Sequence, residues 1–370
     1  MTGKSARPLR VLFAGTPEIA LFSLERVLRE AGAEWTVVGV LTNPDAPRGR
    51  GRRVQPSPVK VRAQEAGLPV LQPERLNSQA RSEVYALQPD ILVVVAYGKI
   101  FGPKFLSLFP RGGVNVHPSL LPRHRGPSPL QAAILSGDRE TGVSIQYLAQ
   151  EMDAGDIILQ ERTPLGPNTT VSELHDQLGQ RGAELLTDAL RQIARGTVTA
   201  TPQNEAQATY CTKVGRSDGE LSWEESADEI HRKVRALTPW PGVRCRWNGV
   251  PLQITETVLP ETAHSDTSPP KTGHPDTVLP EAVHPDTRHP ETATPEGHRA
   301  PEGSSYPSAQ GAAAVPGSVL AVDSALGILV QTTDGVLAIR RLKQHARKEL
   351  DFRSFVNGNS EIIGSVLQQA

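Results

Sequence analysis

Residues 112–129, "GGVNVHPSLLPRHRGPSP", set an asparagine and a histidine two positions apart, Asn115 and His117. Side chains alternate along a strand, so the amide and the imidazole project from one face while Val114 and Val116 take the other. Pro118, Pro122 and Pro127 follow; prolines end regular pairing, which places both polar groups at the carboxyl end of the strand. An amide can donate to a developing oxyanion and a neighbouring imidazole can move a proton, a combination that suits acyl transfer. Such an imidazole calls for a carboxylate to orient it and tune its basicity. The stretch "TGVSIQYLAQEMDAGDIIL" supplies Asp153, in a tight bend after a further strand. Taken alone, Asn-x-His is an ordinary hydrogen-bonded strand end; the carboxylate and the proline-rich exit favour chemistry. No serine or cysteine stands in a nucleophile elbow, so the nucleophile is expected from a second substrate.

A strand end serves chemistry only if a sheet holds it. "LRVLFAGTP" reads as a buried strand closing in a turn, with Thr16 placed to cap the next segment and Pro17 suited to a first helical position. "EIALFSLERVLREAG" repeats apolar residues at helical spacing. Strands at "WTVVGVLT", "LPVLQP", "DILVVVAYG", "GGVNVHPS" and "TGVSIQYLA" then alternate with helices at "VKVRAQEAG", "SEVYALQ", "SPLQAAILSG" and the long "TVSELHDQLGQRGAELLTDALRQIARG". This alternation predicts an α/β domain over residues 1–197, a Rossmann-like, mostly parallel sheet with helices on both faces. Such sheets bind ligands outside the carboxyl ends of their strands, where strand order switches.

Residues 198–212 are polar and irregular, as a linker would be. From 213 to 370, a helix at "SADEIHRKVRALT" and short runs joined by Gly, Asn-Gly and Asp-Gly turns predict a small OB-like β-barrel. Within it, at about 256–316, decapeptide repeats such as "KTGHPDTVLP" and "EAVHPDTRHP" interleave prolines with polar residues, which build neither helix, central strand nor core. The segment reads as a solvated insertion. Histidines ten residues apart in such a chain do not make a ligand set, and no metal site is expected.

At 370 residues and a formal net charge of −1, the chain is sized for about two domains and carries no global field toward nucleic acid or membrane. Aromatics, 4% of residues, are too few for a broad base-stacking sheet. Cys211 and Cys245 lack any metal-ligand spacing and fit a reducing compartment. The longest apolar run, "ILVVVAY", is far short of the ~20 residues of a membrane span. A cytoplasmic monomer is expected. One local signal stands out: Arg48, Arg50, Arg52, Arg53, Lys60 and Arg62 follow the second strand with no acid between Asp45 and Glu65. A Gly/Pro-rich loop so charged, overhanging the carboxyl-end cleft, suits a phosphate backbone, although most charge runs are only solvated surface.

"FAGTPEIA", "NVHPSLLPRHRGPSPLQAAILSGDRETGVSI" and "MDAGDII" together resemble the 10-formyltetrahydrofolate-dependent formyltransferases, over nearly the whole chain apart from the repeats. The resemblance implies that Asn115, His117 and Asp153 form the catalytic set. It also implies that Ser119, Leu120, Leu121 and Pro122 contact the folate, which is a co-substrate with no tightly bound cofactor beside it. "HPSLLP", with Pro118, is also the form met in members that formylate a glycinamide ribonucleotide, so the motif places the chemistry more firmly than the acceptor. The basic loop resembles one that grips a tRNA acceptor stem in members acting on initiator methionyl-tRNA. Arg50 would be its principal contact, with Arg48, Arg52 and Arg53 beside it. Lys213, in "ATYCTKV", falls in a segment resembling the family's interdomain stretch, which makes it a linker residue first and a tRNA contact second. The second domain, with "HRKVRAL" and "RRLKQHARK", favours a nucleic-acid acceptor. The expected reaction is formylation of the methionyl amino group on initiator tRNA. A formyltransferase or hydrolase using a small acceptor is the alternative, and a non-catalytic RNA-binding protein a remote one. A nicotinamide oxidoreductase is disfavoured, because "FAGTPEIA" has one glycine where the dinucleotide fingerprint needs three.

Overall fold

In the computed structural model, residues 7–48, 51, 53–260 and 314–370 are described; most of the repeat insertion, and Arg50 and Arg52, lie outside them. The first domain runs β1 (Leu9–Gly15), α1 (Ile19–Arg29), β2 (Trp35–Leu41), β3 (Ala46–Arg48), β4 (Arg53–Gln55), α2 (Pro58–Glu65), β5 (Val70–Leu71), α3 (Ser78–Ala86) and β6 (Ile91–Val95). It continues with α4 (Pro103–Leu106), β7 (Gly113–His117), α5 (Pro129–Leu135), β8 (Glu140–Tyr147), β9 (Ile157–Pro164) and α6 (Val171–Arg195). The apolar runs of β1 and β6 are buried at nearly every residue, which requires a sheet covered on both faces. Alternation divides β1 between them: Val11 and Phe13 join the core under α1, α2 and α6, while Leu12 and Ala14 join a second core with Val84 of α3 and Phe105 of α4.

Among the described residues, one sheet has the order β5-β2-β1-β6-β7-β8-β9. It is parallel from β5 to β7 and antiparallel from β7 to β9. Chain order departs from β1 in both directions, toward β2 and toward β6, so the switch point lies between β1 and β6. The strand β9 is not evident in the sequence, because Glu161 and Arg162 break its apolar pattern, as an edge strand allows. Thr16 does not cap α1, whose N-cap is Glu18. Its hydroxyl accepts instead from Asn43 N and Nδ2 at 3.3 and 3.0 Å, tying the β1 and β2 exits together.

Helix α6 starts at a capping box, Thr170 with Glu173, and ends at Gly196 in the left-handed region. Its Gly182 lets the helix close on the sheet: a Cβ there would lie 2.8 Å from Val116 Cγ1, the residue between Asn115 and His117. The site strand is therefore braced from behind by direct helix–strand contact.

The second domain contains α7 (Ala227–Leu237), β10 (Val243–Trp247), β11 (Val250–Val258), β12 (Val319–Asp323), β13 (Gly327–Gln331), β14 (Val336–Gln344), β15 (Leu350–Asp351) and α8 (Phe352–Asn357). The antiparallel order is β10-β11-β14-β13-β12, with β15 on β14. The C-terminal tail closes it: Gln368 bridges Arg246 of β10, and Val366 bridges Ser318 beside β12. One segment thus joins both edges, which makes the expected small barrel. Residues 256–258, assigned to the insertion by sequence, belong to β11 and pair with β14. Helix α7 docks on α5 and α6, and Arg235 donates to Thr169 O at 2.9 Å across the junction.

Candidate active site

Register brings the polar groups together. Asn115 on β7 faces Gln146 on β8, and His117 faces Ser144. Asn115 Nδ2 donates to Asp153 Oδ1 at 3.3 Å, and His117 Nδ1 lies 3.6 Å from Asp153 Oδ2. The amide, imidazole and carboxylate do converge. The imidazole has a second partner, on its other nitrogen, that the sequence does not announce. His117 Nε2 is 2.9 Å from the His124 carbonyl oxygen, which can only accept, so Nε2 carries the hydrogen and Nδ1 is the basic nitrogen. Asp153 Oδ2, at 3.6 Å, is the carboxylate oxygen nearest that nitrogen.

Asp153 occupies the β8–β9 turn at φ 54, a left-handed conformation that aspartate tolerates better than most residues. Its carboxylate accepts from Gly126 N–H at 2.8 Å and from Gln146 Nε2 at 3.1 Å, besides Asn115. Gly126 belongs to the chain after Arg125, which is fully buried. The Arg125 guanidinium donates to Gln203 Oε1, to both Glu205 carboxylate oxygens and to Tyr210 Oη. A buried cation is tolerated when paired in this way, and the Glu205 carboxylate holds Arg125 well above the ordinary guanidinium range. Segment 198–212 is therefore no free linker. Thr201 bridges Ile157 and Tyr210 bridges Arg125, laying this stretch along the first domain.

Asn115, His117 and Asp153 line a cavity of about 630 Å³ at the carboxyl ends of β1, β6 and β7. Its walls include Ile19, the 94–101 segment and Leu178, so it is mostly apolar with a few convergent polar groups, the composition of a site for a ligand of cofactor size. Tyr97 on this wall is buried, which pushes its phenol up to about 12.

Ser119, Leu120, Leu121 and Pro122 are not on the cavity lining. Ser119 and Leu121 are buried, Ser144 Oγ donates to Ser119 O at 2.7 Å, and Gln160 Nε2 donates to Leu121 O at 3.0 Å. This stretch forms the middle of the His117–His124 turn, held to β8 and β9 by those bonds; the neighbouring Pro118 lines the cavity. Arg48 and Arg53 pair in the β3–β4 hairpin, where the Arg53 side chain is exposed. The hairpin leaves the β2 exit, on the same rim as the cavity, and Asn43 at its base donates to Tyr97 O at 2.7 Å. Lys213 is exposed two residues beyond Cys211, whose N–H donates to Arg125 O.

Sequence reasoning missed Gln146, Gly126, Arg125 and Gln203. Gln146 was within reach, because the alternation that pairs Asn115 with His117 also pairs Ser144 with Gln146 on one face of β8. The others depend on which loops meet, and local pattern carries no sign of that.

The formyl transferase family model matches residues 9–190, and the model of the formyl transferase C-terminal domain matches residues 213–284 and 289–360. The methionyl-tRNA formyltransferase of Treponema denticola is 37% identical over 96% of this chain and 98% of its own length. That of Symbiobacterium thermophilum is 39% identical over 96% and 94%. Among solved structures, HypX from Aquifex aeolicus in complex with tetrahydrofolic acid aligns with a TM-score of 0.54 at 16% identity, covering 96% of this chain and 48% of that one. The sugar 3N-formyl transferase WlaRD aligns with a TM-score of 0.52 at 19% identity, covering 69% and 87%. At such identities the structural likeness speaks for the fold.

Proposed function

The chain belongs to the formyl transferase family, and from that premise we infer that it transfers the formyl group of 10-formyltetrahydrofolate to the amino group of initiator methionyl-tRNA. The observation that carries the chemistry is the meeting of Asn115, His117 and Asp153 on one wall of the cavity that spans the carboxyl ends of β1, β6 and β7. Full-length likeness to methionyl-tRNA formyltransferases supports the acceptor.

The folate supplies a formyl carbon bonded to N10. The neutral methionyl amine attacks that carbon, its new C–N bond forming as the carbonyl oxygen gains charge. Asn115 Nδ2 has a second hydrogen besides the one given to Asp153, and donates it to that oxygen. His117 accepts the amine proton at Nδ1, the nitrogen left free by the bond to His124. The resulting imidazolium lies beside Asp153, whose Oδ2 is 3.6 Å from Nδ1. Collapse breaks the bond to N10, which takes the proton, giving formylmethionyl-tRNA and tetrahydrofolate. The apolar wall excludes water, the competing nucleophile.

Arg48, Arg50, Arg52 and Arg53 on the hairpin loop, with Lys213 beyond the docked segment, are assigned to the tRNA backbone. The hairpin strand that bears Arg53 follows the β2 exit, where Asn43 meets Tyr97 of the cavity wall, and such contacts position a nucleic acid without reading its sequence. Among the described residues, no helix is long and apolar enough to cross a membrane. The deciding experiment supplies labelled formyl donor with charged initiator tRNA or with a glycinamide nucleotide. Label on the tRNA-bound methionine is expected; label on the nucleotide instead would overturn the acceptor assignment.

A further inference from the structure

We infer that Gln203, in the segment joining the two domains, is a positioning residue for Asp153, so that the catalytic set is complete only with that segment docked. The inference rests on the reading of Asp153 as part of the reacting site. Gln203 Oε1 accepts from Arg125 Nε at 3.1 Å and Nη2 at 2.8 Å. Its Nε2 donates to Asp153 O at 2.8 Å and Gly155 O at 2.7 Å, and reaches Gln146 Oε1 at 3.2 Å. A flipped amide would set an oxygen against carbonyl oxygens and an NH2 against a guanidinium, so only one orientation satisfies both ends.

Two routes to Asp153 therefore meet at Arg125. One passes through the next residue, Gly126, whose N–H grips the carboxylate; the other passes through Gln203, which pins the backbone of the turn. A residue with a side chain stays at φ 54 only where its surroundings hold it there. Gln203 also steadies Gln146, whose Nε2 donates to Asp153 Oδ1. Glu205 and Tyr210, from the same segment, complete the Arg125 shell. Undocking residues 203–210 would strip Arg125 of these side-chain partners and release the Asp153 turn in one event.

The test measures kcat and both KM values of the full chain for Gln203→Leu and Gln203→Glu, each alone and combined with Asp153→Asn, below each variant's melting midpoint. Leucine removes the amide at similar size. Glutamate keeps an oxygen for Arg125, so it protects the fold, but turns an oxygen toward Asp153 O and Gly155 O. Each single variant is expected to lose about 10–100-fold in kcat, with little change in either KM. Neither is expected to lose anything further in the Asp153→Asn background. A wild-type kcat, a loss confined to KM, or an equal loss with and without the Asp153 carboxylate would each overturn the inference. If Gln203→Leu does not fold, the same outcomes are read from Gln203→Glu alone. A wild-type kcat for Asp153→Asn alone would instead bring down the underlying reading, and this inference with it.

Discussion

Gly126→Ala perturbs the site without touching a reacting group. Gly126 stands at φ +118, where a residue with a Cβ is strained by on the order of 1–3 kcal/mol. The added Cβ would lie 2.3 Å from the Cys211 carbonyl oxygen. That oxygen is backbone, so relief requires two chain segments to part. They are knitted by Cys211 N–H to Arg125 O at 2.8 Å and Arg125 N–H to Thr209 O at 2.9 Å, each worth roughly 0.5–1.5 kcal/mol. The expected destabilisation is about 2–4 kcal/mol, which at roughly 2–4 °C per kcal/mol lowers the melting midpoint by about 4–16 °C. Turnover falls as well, because the Gly126 N–H that holds Asp153 moves with its chain, and a shift of about 1 Å in a positioned group costs on the order of 10²-fold. The assay pairs thermal unfolding with single-turnover formyl transfer, using Gly32→Ala, where a Cβ meets open space, as control. A Gly126→Ala protein with the melting point and rate of the parent would refute both the crowding and the coupling argued from it.

Asn115→Ala should lower kcat by about 10²–10³-fold through loss of an oxyanion donor, with tRNA affinity retained in a filter-binding assay; a rate near the parent's would remove Asn115 from the chemistry. Arg53→Ala and Arg50→Ala should each reduce the slope of log affinity against log salt by about 1, and an unaltered slope would take that arginine out of the interface. Burial, reinforced by the nearby Arg235 charge, pushes the His231 imidazole down to about 4 from 6.5. Between those values the unfolded chain binds a proton that the folded chain refuses, so stability is full above pH 6.5. It is lost as pH falls through the window, by up to about 3 kcal/mol. His231→Gln should flatten the melting-point profile from pH 6.5 to 4, and a profile as steep as the parent's would assign the acid sensitivity to other groups.

Much can be read from the chain before it folds. Apolar runs such as "ILVVV" are long enough to demand a doubly covered sheet. Two-residue alternation set Asn115 and His117 on one face, and the prolines after them fixed that face at the strand's carboxyl end. The "MDAGD" bend was legible as a turn bearing a carboxylate, and residue-by-residue likeness carried the family. These are local features, fixed by chain geometry over a handful of residues.

Which groups meet was settled only by three-dimensional packing. "SLLP" reads as a binding loop, but the chain pattern does not announce that Leu121 is buried or that Ser144 and Gln160 hold the Ser119 and Leu121 carbonyls. Asp153 faces the imidazole at 3.6 Å, but the ring's other nitrogen is held by the His124 carbonyl, seven residues from His117 in sequence, and nothing local announces that contact. The polar stretch 198–212 reads as a linker because nothing in it is apolar enough to signal burial. It docks because Arg125, 78 residues from Gln203, needs partners once buried. Hydrophobic pattern reports which residues leave water. It cannot report which polar groups satisfy one another, since that depends on distances closed only when the whole chain has folded.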